Sequence, residues 1–160
     1  MLVNQHFIIK IKSHIMKNLI SVLFLFLGLH ASCQEWHKDL AEAKKIASSR
    51  HQPILLVFQG SDWCAPCIKL DKELWSTDTF KNYAKDHYVM LQADFPRKQK
   101  NALSPAQQEK NNTLAARYNN NGIFPYIVML DNEGNVLGST SYDHNKQPKD
   151  YIALFDSFKS

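Results

Sequence analysis

The sequence predicts an α/β domain in which a mixed central sheet is flanked by helices. Two short apolar runs, Ile54 to Phe58 and Tyr88 to Ala93, are separated by a helical pattern, which predicts parallel strands joined by a right-handed crossover. Two later strand patterns, Tyr126 to Leu130 and Asn135 to Ser139, flank the turn residues Asp131 to Gly134 and predict an antiparallel hairpin. A chain of 160 residues is long enough for one such domain with a sizeable core.

The first two helices are predicted from apolar spacing. Residues 36–50 carry apolar side chains three and four positions apart, at Trp36, Leu40, Ala43 and Ala47, so we expect one helix there. A second helix should begin near Cys64, because Cys67, Leu70 and Leu74 then share one face.

Three further helices are indicated by capping residues. Ser76-Thr77-Asp78 can cap a helical piece that runs through Ala84. Residues 104–107, Ser-Pro-Ala-Gln, form a capping box with proline at the first helical position, and we expect that helix to run to Tyr118. Pro148 should open the last helix.

Residues 1–33 have the composition of a signal peptide. They carry three of the chain's net four positive charges, and Lys17 precedes an apolar run that is short for a membrane span. Met16 is an alternative translation start. Cleavage after Ala31-Ser32-Cys33 would leave a domain of residues 34–160, and Cys33 is alternatively a candidate for a lipid anchor. Either route predicts export to the periplasm or cell envelope, where disulfides persist.

The remaining chain is nearly neutral, with 16 basic and 15 acidic residues, and lacks the clustered positive charge of a nucleic-acid-binding surface. We expect the basic run Arg97-Lys98-Gln99-Lys100 to be a solvated loop, with the docking of an acidic partner as the alternative.

The chemistry is predicted to reside in Cys64 and Cys67. A cysteine at a helix N-terminus has a lowered pKa, so Cys64 should be the nucleophile and Cys67, one turn later, the resolving thiol. Trp63 offers a flat apolar surface beside Cys64. Ala65 and Pro66 supply no positive charge to stabilise a thiolate, so we expect a reducing pair with a potential near about −270 mV.

These residues resemble the active site of the thioredoxin superfamily. The sequence Trp63 to Cys67 follows a buried strand, and Phe124-Pro125 precedes another, as in that superfamily. The similarity extends from about residue 36 to 158 and is greatest to exported thioredoxin-like proteins, including the terminal domain of periplasmic thiol-disulfide interchange proteins. It implies a thioredoxin-like fold with Pro125 in the cis form. It also implies a substrate groove formed by Trp63, Phe124 and Pro125.

One position departs from the family pattern. Thioredoxins have a buried aspartate six residues before the first cysteine, where it helps the second cysteine lose its proton, and this chain has Phe58 there. The proton acceptor for Cys67 is therefore left open between water, Asp62 and another carboxylate.

The resemblance implies an exported thiol-disulfide oxidoreductase that reduces or isomerises disulfides of other exported proteins. It would need no bound cofactor and would be recharged by a membrane electron donor, and we expect a monomer. The alternative is a thioredoxin-fold binding or chaperone module with a structural disulfide. A role in cytochrome c maturation is a weaker possibility, indicated only by the Cys-Ala-Pro-Cys sequence. A zinc site is disfavoured because the histidines show no ligand spacing.

Overall fold

A computed structural model describes residues 34–159. The predicted signal peptide, the alternative start at Met16 and the candidate lipid anchor at Cys33 lie outside these residues. Within residues 34–159, no helix combines the length and apolar character needed to cross a membrane.

The described chain forms one five-stranded mixed sheet. The strands are β1 (Trp36–His37), β2 (Ile54–Gln59), β3 (Val89–Asp94), β4 (Tyr126–Leu130) and β5 (Val136–Ser141). Their order across the sheet is β1-β3-β2-β4-β5. Strand β3 is parallel to β1 and β2, whereas β4 is antiparallel to β2 and β5. The predicted parallel pair and the predicted hairpin are both confirmed.

Within the described residues, five α-helices connect and cover the strands. They are α1 (Leu40–Arg50), α2 (Ala65–Leu70), α3 (Asp78–His87), α4 (Pro105–Tyr118) and α5 (Pro148–Ser157). A π-helical turn, Asp71–Trp75, continues α2, and a 3₁₀ turn, Gln99–Asn101, precedes α4. The predicted caps are present for α3 and α4, where the hydroxyls of Thr77 and Ser104 accept backbone N–H groups. The capping box at α4 is incomplete, because the Gln107 side chain donates to the Lys38 carbonyl and to Asn111 instead.

The prediction of one helix from Trp36 to Arg50 is wrong at its start. Trp36 and His37 form β1, and Asp39 caps α1 by accepting the N–H of Glu42 at 3.0 Å. The physical reason is that Trp36 and α1 pack on opposite faces of the sheet. The Trp36 ring packs edge-on against Trp75, whereas Ala43 of α1 belongs to the core on the other face. A single helix from Trp36 to Arg50 could not place side chains in the cores on both faces of the sheet.

A hydrophobic core lies on each face of the sheet, and successive side chains of β2 point alternately into one core and the other. Leu55 and Val57 face the layer formed by α2, α3 and α5, whereas Ile54, Leu56 and Phe58 face α1 and α4. All five are fully buried, which explains the continuous apolar run. The carboxyl ends of the parallel strands β2 and β3 lie at the same edge of the sheet, and the chain leaves both strands there.

A polar cluster joins α5 to α3 and to Tyr88, the residue that precedes β3. The carboxylate of Asp156 accepts the hydroxyls of Tyr83 at 2.5 Å and Tyr88 at 2.8 Å, and the Lys159 ammonium at 2.6 Å. The bond to this carboxylate raises the pKa of Tyr83 to about 12. The cluster connects the last helix to α3 and to the residue just before β3.

Candidate active site

The two cysteines form a disulfide at the start of a helix, as their spacing predicts. Cys64 is the N-cap of α2 and Cys67 lies in its first turn, with their Cα atoms 5.2 Å apart. The Sγ of Cys64 accepts the backbone N–H of Cys67 at 3.3 Å. Each cysteine is only 4% exposed, whereas Ala65 and Pro66 between them are exposed. A backbone donor aimed at Cys64 stabilises negative charge on that sulfur.

The Phe124–Pro125 peptide bond is cis, which confirms the conformation predicted for Pro125. Asn119 holds the preceding segment. Its side chain donates to the Ile123 carbonyl at 2.8 Å and accepts the Ile123 N–H at 2.9 Å. The Pro125 carbonyl accepts the Ser141 hydroxyl at 2.6 Å. Both neighbours of Phe124 in the chain are therefore fixed by side-chain hydrogen bonds.

Trp63 lies in a cluster that the sequence analysis predicted only in part. Its indole N–H donates to the Phe95 carbonyl at 2.7 Å, and its ring contacts Phe124 edge-on with centroids 5.6 Å apart. Phe95 in turn contacts Phe124 at 5.5 Å. The guanidinium carbon of Arg97 lies 3.6 Å from the Trp63 ring centroid. The structure thus brings the predicted residues Trp63 and Phe124 together, and adds Phe95 and Arg97.

Phe95 and Arg97 were missed as site residues, although the sequence contains a usable signal. Phe95 comes two residues after the apolar run that predicts β3, as Gly60 comes two residues after the run that predicts β2. Because the ends of adjacent parallel strands meet at one sheet edge, residues after β3 are expected beside the loop that precedes Cys64.

Two carboxylates join these neighbouring loops. Asp62 accepts the backbone N–H groups of Arg97 and Lys98 and the side-chain amide of Asn101, at 2.8–3.0 Å. Asp94 accepts the Ser61 N–H at 2.8 Å and its hydroxyl at 2.7 Å. The run Arg97 to Lys100 is exposed as predicted, but it is tied down rather than free.

The hydrogen bonds to Asp62 affect whether this carboxylate can accept the proton of Cys67. The backbone hydrogen bond from Arg97, supported by those from Asn101 and Lys98, holds the pKa of Asp62 below its usual value. A lowered pKa makes this carboxylate a weaker base near neutral pH. Phe58, at the position of the family's aspartate, is fully buried and stacks with Tyr126 at 6.4 Å. It supplies no proton acceptor.

Two exposed apolar side chains lie next in sequence to the predicted site residues Cys67 and Phe124. Ile68 on α2 is 40% exposed, and Ile123, just before the cis peptide, is 41% exposed. Across the described range 34–159, no three His, Cys, Asp or Glu side chains lie close enough together to hold a metal ion. The chemistry that this arrangement supports is exchange between a dithiol and a disulfide.

Comparison with known proteins identifies the family. A family model described as thioredoxin-like matches residues 35–132. The disulfide bond reductase DsbH of Chlamydia pneumoniae is 38% identical over 109 residues, which are 68% of this chain and 63% of that protein. The chain thus spans less than two thirds of this curated relative.

Solved structures agree with the fold. One described as DsbH oxidoreductase superposes with a TM-score of 0.72 at 34% identity, covering 80% of this chain and 85% of the other. The reduced C-terminal domain of DsbD from Neisseria meningitidis has a TM-score of 0.51 at 16% identity, covering 74% of this chain and 92% of that domain, and supports the fold alone. The predicted thioredoxin-like fold is confirmed, and the chain belongs to the thioredoxin-like family.

Proposed function

We propose that this protein is an exported thiol-disulfide oxidoreductase that reduces or isomerises disulfides in other exported proteins. The observation that carries the proposal is the position of Cys64, whose sulfur caps a helix and accepts the Cys67 N–H. The likeness to a protein named disulfide bond reductase supports the same activity. Trp63, Phe124 and Pro125 would form the substrate groove.

The proposed reaction begins with the reduced protein. The Cys64 thiolate attacks one sulfur of a substrate disulfide, forming a mixed disulfide and releasing the other substrate sulfur, which takes a proton from water. Cys67 then loses its proton and attacks the Cys64 sulfur. The intramolecular disulfide forms and the second substrate thiol leaves. Two electrons have passed to the substrate, so a dithiol donor must return two electrons and two protons, and we assign this role to a membrane protein.

Two cysteine variants test the assigned roles. In a Cys67→Ser variant the resolving step is lost, so mixed disulfides with substrate should accumulate and be visible on non-reducing gels. The matched Cys64→Ser variant should form none and should have no activity. If the Cys64→Ser variant keeps its activity, the proposal is wrong.

The direction of electron flow is tested by the equilibrium redox potential of the pair, measured in dithiothreitol or glutathione buffers by thiol alkylation and mass. A value near about −270 mV indicates a reductase, and one of about −120 to −180 mV indicates an oxidase or isomerase. A pair that resists reduction well below about −300 mV supports the second candidate, a binding or chaperone module with a structural disulfide. The burial of both sulfurs and the replacement of the family's aspartate by Phe58 favour that candidate.

Export is tested separately. Residues 1–33 fused to a reporter enzyme that needs disulfides should give activity only if they direct export. The mass of the purified mature protein distinguishes cleavage after Cys33 from lipid attachment at Cys33.

A further inference from the structure

The segment 97–101, here called the basic loop, carries three cations and is bonded to the loop that precedes Cys64. Arg97, Lys98 and Lys100 are all exposed. The ion pairs formed among residues 34–159 include none of the three. The Lys98 charge helps to lower the pKa of the Asp62 carboxyl, but none of the three cations is held in an ion pair, so each can still bind a carboxylate of a partner.

The basic loop is anchored to the chain that carries the nucleophile. Asp62, two residues before Cys64, accepts the N–H groups of Arg97 and Lys98 and the side chain of Asn101. A 3₁₀ turn at Gln99–Asn101 shapes the rest of the loop. The cations thus have a defined position relative to the disulfide.

Arg97 covers part of the surface that a substrate is expected to meet. Its guanidinium lies over Trp63, which immediately precedes Cys64, and Trp63 is itself fixed by Phe95 and Phe124. Stacking engages the face of a guanidinium and leaves its N–H groups at the edge, where they can bind a carboxylate in bidentate fashion. The nearby carboxylates of Asp62 and Asp94 are already engaged by hydrogen bonds.

We propose that the basic loop is a docking site for an acidic segment that flanks the target cysteine of the substrate protein. Carboxylates on the substrate pair with Arg97 and Lys98 while its disulfide faces Cys64. The inference rests on the proposed function and adds a substrate class to it. Complementary charge of this kind acts mainly on the rate and selectivity of encounter.

The test compares two disulfide peptides that differ only in having Glu or Gln beside their cysteines. With dithiothreitol as electron donor, the wild-type protein should reduce the Glu peptide with a kcat/KM about fivefold to tenfold higher at low salt. This preference should shrink as salt is added. In a variant with Arg97→Gln and Lys98→Gln, the ratio of the two rates should fall to about one.

A matched control removes two positive charges elsewhere. Lys81 and Lys85 are exposed on α3, and a variant with Lys81→Gln and Lys85→Gln should keep the wild-type preference. The proposal is overturned if the control loses the preference equally, if wild type has none, or if the loop variant slows both peptides by the same factor.

A binding measurement separates this inference from the proposed reaction. The Glu peptide with its cysteines replaced by serine is titrated into the protein, and the indole N–H signal of Trp63 and the loop amides are followed by NMR. Shifts confined to these signals, and weakened in the loop variant, support docking even if neither disulfide peptide is reduced. Their absence at millimolar peptide overturns it.

Discussion

Replacing Gly60 by alanine should displace Trp63 from its position beside the cysteine pair. A Cβ built on Gly60 would lie 2.4–2.7 Å from three atoms of the indole ring, closer than real Cβ contacts. The backbone of Gly60 is not in the positive-φ region, so alanine itself introduces no backbone strain. The cost of the substitution therefore comes from the indole ring.

The size of the effect follows from the contacts that hold the ring. Moving the indole would weaken its hydrogen bond to the Phe95 carbonyl, worth about 1 kcal/mol, and its edge contact with Phe124, worth about 0.5–1.5 kcal/mol. It would also disturb the stacking of Arg97, worth about 0.5–1 kcal/mol. We expect a loss of about 2–3 kcal/mol in the free energy of unfolding.

A double-mutant cycle measured by urea unfolding of the oxidised protein isolates the clash. In a Trp63→Ala background the ring is absent, so Gly60→Ala should be neutral or stabilising by about 0.4–1 kcal/mol through reduced entropy of the unfolded chain. The coupling energy between the two sites should then be about 2–4 kcal/mol.

Gly134 provides the matched control. It lies in the turn of the β4–β5 hairpin at a φ of 88°, so alanine there is strained for a reason unrelated to Trp63. Its cost should be the same with and without the indole. If Gly60→Ala costs equally in both backgrounds, the ring is not the source of the destabilisation and the reasoning fails.

Three further predictions concern polar contacts around the fold. Burial tends to raise the pKa of Asp156, but hydrogen bonds from Lys159, Tyr83 and Tyr88 hold it below the ordinary value. The ionised Asp156 therefore stabilises the fold above about pH 3.9, and this contribution is lost as pH falls through the pKa of the folded state. The variant Tyr88→Phe removes one of these bonds, so its acid unfolding curve should depend less steeply on pH. Asn119→Ala should lower the unfolding free energy by about 1–3 kcal/mol in urea, because it leaves both Ile123 backbone groups unpaired; unchanged stability would contradict this. Asp62→Ala should accelerate hydrogen exchange at the two loop amides bonded to it, whereas protection at wild-type levels would show another anchor.

The central strands could be predicted from sequence because local and tertiary requirements agree there. Ile54 to Phe58 is apolar at every position because both faces of β2 are covered. This pattern is visible in the sequence even when the elements that cover the strand are unknown. The start of α2 was likewise predictable from the Cys64–Cys67 spacing. Trp36 was misassigned because its apolar spacing matches that of α1. In the structure Trp36 pairs with Met90 of β3 and contacts Trp75 on the face of the sheet opposite α1.

The neighbours of Trp63 required knowledge of the sheet. Phe95 and Arg97 are more than 30 residues from it in sequence, and the signal that the sequence contains for them is their position just after the second predicted strand. Their position depends on the parallel pairing of β2 with β3, which brings the ends of both strands to one edge. Asp62 was identified from sequence as a possible base, but its three hydrogen bonds to the basic loop could not be foreseen.

These contacts give Asp62 a role different from that of the family's buried aspartate. A base for Cys67 must be able to take up a proton near neutral pH, which requires a raised pKa or a free carboxylate. The hydrogen bond from the Arg97 backbone N–H lowers the pKa of Asp62. At position 58, where the family has its buried aspartate, this chain has a buried phenylalanine and therefore no carboxylate. Asp62 is therefore better understood as the residue that positions the basic loop. Of the three acceptors considered from the sequence for the Cys67 proton, water and another carboxylate then remain, and the departure at Phe58 and the use of Asp62 as an anchor are consistent with one another.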